Sequence, residues 1–154
     1  MTGPVAVELR PVREEDVEVF FEHQRDPTAA RMASFPSRGN EEHRAHWARI
    51  LHDDRLVTRT IVVGGDVAGN IGSWETEGDR LVGYWVGREF WGRGVATAAL
   101  SAFLGIVTER PVRARVAKDN PGSIRVLEKC GFAVVGERRD GVVDELIFEL
   151  DEPT

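Results

Sequence analysis

Trp91-Gly92-Arg93-Gly94-Val95-Ala96 is the most informative stretch of this chain. It lies between an apolar run at Leu81 to Val86, which predicts a strand, and a helical pattern that begins after Gly94. Glycine at both positions lets the backbone turn its N–H groups outward with no Cβ in the way. Free N–H groups at a helix start, helped by the helix dipole, attract phosphate. The stretch predicts a phosphate-binding turn, although such glycines also serve plain tight turns.

A second motif runs from Asn120 to Phe132 and reads Asn-Pro-Gly-Ser-Ile-Arg-Val-Leu-Glu-Lys-Cys-Gly-Phe. Pro121 predicts a helix start with Asn120 as its cap and Ser123 in the first turn. The two motifs together resemble the acyl-CoA-binding elements of the GNAT superfamily of N-acetyltransferases. Within that superfamily the resemblance is to the branch typified by ribosomal-protein N-terminal acetyltransferases.

The resemblance implies how acetyl-CoA, the co-substrate, is held. The backbone of Trp85 and Val86 would bind the pantetheine arm and polarise the thioester carbonyl, residues 92–97 would wrap the pyrophosphate, and Asn120 would reach the pantetheine. The hydroxyl of Ser123 would lie near the thioester sulfur, where it would protonate the leaving thiolate. The implied cofactor-binding set is Trp85, Val86, Gly92, Arg93, Gly94, Val95, Ala96, Thr97 and Asn120, and the implied catalytic residue is Ser123.

Simpler interpretations of three of these residues stay open. Arg93 is also a typical surface arginine, Asn120 a typical helix cap, and Ser123 a residue that satisfies a helix end.

The chain departs from the family pattern in its acid–base residues. Leu127 stands where many members have a tyrosine acid, and Ala98 stands where ribosomal-protein-type relatives often have glutamate. Ser123 or water would then replace the missing acid. The candidates for the general base are Glu75, Asp79 and His46, and a water chain is at least as plausible.

The hydrophobic patterns predict one domain over residues 1–154, in the order β-α-α-β-β-β-α-β-α-β-β. The fold class is α+β, a mixed sheet with helices on its faces. The resemblance adds a mostly antiparallel sheet of about seven strands, about four helices and three layers. The predicted strands include Val7 to Arg10, Thr60 to Val63, Val67 to Trp74, Leu81 to Val86, Val112 to Val116 and Leu146 to Leu150; the helices begin near Arg13 or cover Glu41 to Leu51, Val95 to Val107 and Pro121 to Lys129.

Two regions of this fold are expected to form the site. If the strand ending at Val86 separates from the strand at Val112 to Val116, its unpaired backbone groups face a cleft in which the pantetheine amides pair as an added strand would. The segment Asp26 to Asn40, rich in Pro, Ser and Gly, is either a substrate-contacting loop or a simple connector.

Composition limits the partners. The net charge of −6 argues against non-specific binding to nucleic acid or to anionic membranes, and mildly favours an amine substrate. No apolar stretch approaches the roughly 20 residues that cross a bilayer, and Met1 to Arg10 lacks the core of a signal peptide, so a cytoplasmic location is expected. Cys130, the only cysteine, allows no internal disulfide and is typical of a small buried residue.

The sequence therefore predicts an N-acetyltransferase that moves an acetyl group from acetyl-CoA to a primary amine, either a protein N-terminus or a small molecule, by direct transfer in a ternary complex. The alternative is a non-catalytic acyl-CoA-binding sensor or scaffold. A metal is not expected, because His43 and His46 lack a third ligand and a solvated helix face explains them. Dimers are common in the family, so a homodimer is an expectation. Which amine is used stays open.

Overall fold

The computed structural model describes residues 6–26, 40–140 and 143–151. Within these ranges the elements follow the predicted order. They are β1 Glu8–Arg10, α1 Glu14–Gln24, α2 Asn40–Leu51, β2 Val57–Val63, β3 Asp66–Thr76, β4 Asp79–Val86, α3 Val95–Phe103, β5 Val112–Ala117, α4 Pro121–Lys129, β6 Ala133–Asp140 and β7 Val143–Leu150. Residues 27–39, most of the segment that was predicted to be either a substrate-contacting loop or a connector, lie outside the described residues.

The seven strands form one sheet in the order β1-β2-β3-β4-β5-β7-β6. Neighbouring strands are antiparallel except β4 and β5, which are parallel. Helices cover both faces, so the predicted three-layer α+β fold is confirmed. The parallel pairing of β4 and β5 includes only Arg80 with Val112 and Leu81 with Arg113. Because β4 continues to Val86 and β5 to Ala117, the two strands part in the middle of the sheet.

The larger core lies between the sheet and helices α3 and α4, on what we call the α3–α4 face. Its fully buried side chains include Ile61, Ile71, Leu100, Phe103, Leu127 and Phe148. The apolar stripe predicted a helix as far as Val107, but the helix ends at Phe103, so the stripe extends beyond it. Gly105 is a poor helix former, and the chain closes in a turn in which the Val107 N–H still donates to the Phe103 carbonyl at 2.9 Å. Val107 thus stays buried outside the helix.

A smaller core lies on the opposite side, the α1–α2 face. Phe20 of α1 and Trp47 of α2 pack with their ring centroids 4.9 Å apart, beside Val17. His43 belongs to this core, because it is buried and its Nε2 lies 3.0 Å from the Val17 carbonyl. The expectation that a solvated helix face explains His43 was wrong, since α1 covers that turn of α2.

Asp16 ties this layer to the sheet. Its carboxylate, 1% exposed, accepts two hydrogen bonds from the Arg10 guanidinium, at 2.6 and 2.9 Å. It also accepts from the Arg13 N–H and from the Thr60 hydroxyl, each at 2.8 Å. Burial opposes ionisation of Asp16, but these hydrogen bonds outweigh it and hold its pKa below the ordinary value. One side chain therefore joins β1, α1 and β2.

No helix in the described part of the chain is long and apolar enough to cross a membrane.

We predict that Asp16→Asn lowers the free energy of unfolding by about 3 kcal/mol at pH 7, because a buried group loses the charge with which it holds the part-buried Arg10 guanidinium, the Arg13 N–H and the Thr60 hydroxyl. The lowered pKa means that the ionised carboxylate stabilises the fold fully above the unfolded pKa of about 3.9, and progressively less as the pH falls through the folded pKa. Urea unfolding of both proteins from pH 7 to pH 3 measures this.

Glu18→Gln is the control, because Glu18 pairs with Arg44 while both side chains are more than half exposed. We expect a loss of less than about 1 kcal/mol at any pH in that range. Equal effects of the two substitutions would contradict the anchoring role of Asp16.

Candidate active site

The side chains of β4 alternate between the two faces of the sheet. Val82, Tyr84 and Val86 pack with the core of the α3–α4 face. Gly83 faces the other way, where the ring of Trp74 lies so close that a Cβ at Gly83 would approach it to 2.9 Å. Trp85, which follows Tyr84, therefore turns its side chain to the α1–α2 face. One strand thus presents different groups to the two sides of the opening.

The backbone at the end of β4 faces the gap. The Gly87 N–H donates to the Ala68 carbonyl at 2.8 Å, toward β3. Because successive N–H groups of a strand point to opposite sides, the Val86 N–H points away from β3 and into the gap between β4 and β5. The Val86 carbonyl accepts from the Trp91 indole at 2.8 Å. The expected separation of the strands is thus present, with the Val86 N–H facing the opening.

The glycine turn follows a 3₁₀ turn at Arg88–Phe90. Gly92 and Gly94 have φ of 74° and 76°, in the left-handed region that favours glycine. Gly94 is the N-cap of α3 and provides no side-chain cap for its first N–H groups. A Cβ on Gly92 would meet no protein atom within 4 Å. The turn therefore leaves open space in front of the start of a helix, as an anion site requires.

A cavity of about 460 Å³ joins the strand end, the glycine turn and α4. Every residue predicted to bind the cofactor or to catalyse lines it except Arg93; these residues are Trp85, Val86, Gly92, Gly94, Val95, Ala96, Thr97, Asn120 and Ser123. The guanidinium carbon of Arg93 lies 5.4 Å from the Phe90 ring centroid instead. Arg125 and Lys129 of α4, both exposed, add positive charge to the lining.

Asn120 has the structural role that was left open for it. Its Oδ1 accepts from the Ser123 N–H at 3.2 Å, which caps the first turn of α4. The cap fixes the backbone from which the Ser123 side chain projects into the cavity. Leu127, where the family often has tyrosine, is buried in the core.

Tyr84 is the functional residue that sequence reasoning missed. Its hydroxyl lies 2.7 Å from the Ser123 hydroxyl, and both residues line the cavity. Burial raises the pKa of Tyr84 to about 12; the hydrogen bond to Ser123 lowers it slightly and the nearby Cys130 raises it. A phenol thus stands where the chain was expected to have only a serine or water. The signal in the sequence was strand alternation: Tyr84, the only tyrosine in the chain, stands midway between Val82 and Val86 and so shares their face of the sheet.

The three candidate bases lie away from this pair or on other elements. Glu75 is exposed, and Asp79 begins β4 and pairs with Arg113 at 3.6 Å. At about 3.3 Å per residue, Asp79 lies roughly 20 Å from Val86 at the other end of the strand. His46 lies on α2 beside the Trp47 ring, with the ring centroids 6.4 Å apart. The geometry does not bring Glu75 or Asp79 to the open end of β4.

Cys130 lies between α3 and α4. It is buried, its Sγ lies 3.7 Å from the Thr97 carbonyl, and burial raises its pKa. A buried neutral thiol is a poor nucleophile. Among the described residues no three acidic, histidine or cysteine side chains come together in a way that would hold a metal ion.

Comparison with known proteins identifies the family. Residues 6–133 match the family model described as an acetyltransferase (GNAT) domain. No curated protein matches the chain. Among solved structures the chain is similar to RimL, the ribosomal L7/L12 alpha-N-protein acetyltransferase, in complex with coenzyme A, with 19% identity over 97% of both chains and a TM-score of 0.82.

Two further structures have the same fold. One is RimJ of Mycobacterium smegmatis with a CoA disulfide, 25% identical over 97% of this chain and 86% of that one, at a TM-score of 0.79. The other is the aminoglycoside acetyltransferase AAC(6')-Ib with coenzyme A, 16% identical over 95% of both chains, at a TM-score of 0.81. Because the family model spans most of the chain, the protein belongs to the GNAT family and is an acyl-CoA-dependent N-acyltransferase.

Proposed function

We propose that the protein transfers the acetyl group of acetyl-CoA directly to a primary amine, in a ternary complex with no covalent enzyme intermediate. The observation that carries the proposal is the Tyr84–Ser123 hydroxyl pair, which shares one cavity with the open end of β4 and with the glycine turn. These are the three groups that such a transfer needs: a thiolate-stabilising donor, an oxyanion donor and an anchor for the cofactor phosphates.

The proposed cofactor position follows from the cavity lining. The pyrophosphate lies on the N–H groups from Gly92 to Thr97 at the start of α3, and the pantetheine runs along the open edge of β4 beside Asn120. Arg125 and Lys129 supply positive charge for the phosphates from α4. Arg93 stays in the proposal as a cation at the rim of the turn, held against Phe90.

The chemistry is an aminolysis of a thioester. The neutral amine attacks the carbonyl carbon, the Val86 N–H stabilises the oxyanion, and the carbon–sulfur bond breaks as the tetrahedral intermediate collapses. A thiol has a pKa of about 8.5, well below the value of about 12 at Tyr84, so complete proton transfer from Tyr84 to the thiolate is uphill. The hydroxyl pair therefore acts by donating a hydrogen bond to the developing thiolate.

The acceptor is proposed to be an α-amine of a protein N-terminus or a small-molecule amine. RimL is named for the alpha-N-terminus of a ribosomal protein, and AAC(6')-Ib for aminoglycosides. An α-amine, with a pKa of about 8, is partly neutral at pH 7, whereas an alkyl amine of pKa near 10 needs more help to lose its proton.

A non-catalytic sensor is the competing function. It would need the cavity but not a hydroxyl pair aimed into it, so the position of Tyr84 favours catalysis. The deciding experiment is a panel of N-terminal peptides, polyamines and aminoglycosides assayed for CoA release, with mass spectrometry of the products. Tight acetyl-CoA binding without turnover of any amine would favour the sensor.

We predict that Gly92→Ala weakens acetyl-CoA binding by about tenfold or more, because the new methyl group occupies the space proposed for the pyrophosphate. Isothermal titration calorimetry on folded protein measures this. Gly78→Ala is the matched control, since Gly78 has φ of 83°, has equally open surroundings and lies in the turn between β3 and β4.

The two substitutions place comparable strain on the backbone, so both are expected to lower the melting temperature by a similar amount. Only Gly92→Ala should change the affinity. An equal affinity for acetyl-CoA in the two variants would place the pyrophosphate elsewhere.

We predict that Tyr84→Phe and Ser123→Ala each lower kcat by about tenfold or more and change acetyl-CoA affinity by less than about threefold. The double variant should be little worse than the slower single one, because the two hydroxyls act as one donor. Steady-state kinetics and calorimetry on the three variants measure this.

The pH dependence of kcat gives an independent check. Since Tyr84 keeps its proton up to a pH of about 12, the wild type should show no alkaline loss of kcat attributable to this group between pH 8 and pH 10. Strictly additive effects of the two substitutions, or normal kcat in both variants, would remove the pair from the mechanism.

A further inference from the structure

His23 of α1 is a buried polar side chain without a partner. It is 7% exposed, and neither ring nitrogen has a hydrogen-bond partner. Burying such a group unpaired is unfavourable, so most buried polar atoms in proteins are satisfied. His43, the other buried histidine on the described helices of this face, does have a polar neighbour at Nε2, the carbonyl of Val17. The unsatisfied ring of His23 therefore points to a function.

The ring lies against the end of β4. A Cβ built on Gly87 would stand 2.7 Å from Cδ2 and Nε2 of His23, so a side chain at this position would displace the ring. Adding the Cα–Cβ bond and the 3.8 Å step between neighbouring Cα atoms places Nε2 within roughly 8 Å of the Val86 Cα. The His23 ring is not among the residues that line the cavity, so bound water would have to carry the proton between the amine and the ring. Asp26 holds the end of α1 at this turn through Arg88, at 3.4 Å.

His23 and Tyr84 approach the strand end from opposite faces. Tyr84 lies with Ser123 on the α3–α4 face, where the thiolate would leave. Gly87, three residues further along the chain, meets His23 on the α1–α2 face. If the thioester sulfur lies beside Tyr84 and Ser123, an amine that attacks from the opposite side approaches the face that carries His23.

The surroundings keep His23 neutral and able to take a proton. Burial lowers its pKa from the ordinary histidine value, and the carboxylates of Glu89 and Glu22 partly oppose this. These two acids, one on the turn after β4 and one on α1 itself, are the charged groups whose fields act on the ring. A neutral imidazole beside two acids is suited to accept a proton and to tolerate the resulting charge briefly.

We propose that His23 is the general base that takes the proton of the acceptor amine through bound water. The inference rests on the proposed acetyl transfer and names a residue for it. As the nitrogen–carbon bond forms, a ring nitrogen of His23 gains the proton that the amine nitrogen loses. The carbonyl electron pair moves to oxygen and returns as the carbon–sulfur bond breaks, and the imidazolium then releases its proton to water.

Glu89 is the strongest competitor for this role. It is exposed, however, and a solvated carboxylate is a weak base for an amine. Glu75 and Asp79 lie at the far end of the sheet from Val86. His23 therefore fits the position and the chemistry better than these three acids.

The test compares two buried histidines. His23→Leu removes an unsatisfied polar ring, so we expect unchanged or higher thermal stability together with a loss of kcat of about a hundredfold and normal acetyl-CoA affinity. His43→Leu removes a partnered ring from the same helix layer, so we expect lower stability and kcat within about threefold of the wild type. Calorimetry, thermal unfolding and steady-state kinetics with one accepted amine give the three readouts.

The pH profile separates a base from a packing residue. In the wild type kcat/KM should rise through an acidic limb below the ordinary histidine pKa of about 6.5, and His23→Leu should lose that limb and follow only the ionisation of the amine. His23→Gln repeats the test with a polar side chain in case the leucine variant does not fold.

A folded His23 variant with wild-type kcat, or with the acidic limb intact, overturns the role of His23 and leaves the proposed function standing. If Glu89→Gln removes the limb instead, the base is Glu89. If the wild-type protein does not release CoA with any amine of the panel, the proposed function is contradicted, and the role of His23 as its base is contradicted with it.

Discussion

The early end of the pairing between β4 and β5 is the constraint on which the rest of the site depends. Parallel pairing stops after Leu81 and Arg113, yet β4 continues to Val86. A strand that loses one partner in the middle of a sheet leaves its N–H and C=O groups unsatisfied, which is costly unless something else bonds to them. Trp91 satisfies the Val86 carbonyl from the glycine turn. The Val86 N–H is left facing the cavity, where an added strand-like ligand would compensate for the missing neighbour.

Successive side chains of a strand point to opposite faces of the sheet, so groups from both faces lie beside this single opening. Tyr84 and Gly87 are three positions apart, an odd offset, so they face opposite layers of the fold. On one side α4 delivers Ser123 to Tyr84, and on the other α1 delivers His23 to Gly87. The hydroxyl pair and the proposed base thus lie at one strand end although they come from distant parts of the chain. Neither helix has to contribute more than one functional side chain.

The sequence predicted the sheet, the helices and most of the cavity lining, because these follow from hydrophobic period and from glycine and proline at element ends. It did not predict the partner of Ser123, since the family pattern directed attention to Leu127 on α4, whereas the phenol comes from β4. His23 could not be predicted from the sequence either, because its helical spacing is that of any residue near the end of an amphipathic helix. Its lack of partners depends on Gly87, a contact 64 residues away along the chain. Local patterns predict elements, and the pairing of side chains across elements requires the packed structure.

The features of the site that lower the stability of the fold are concentrated at one end of β4, and the interactions that stabilise the fold against them lie elsewhere. The parted strands and the unsatisfied ring of His23 each lower stability, and both lie at the Val86 end of β4. The fully bonded Asp16 carboxylate holds α1 to β1 and β2 a few turns before His23 on the same helix. Because α1 is anchored near its start by this buried ion pair, its last turn can place an unsatisfied ring against the strand end without losing its position. A rigid attachment at one end of α1 is what lets the other end carry a strained functional group.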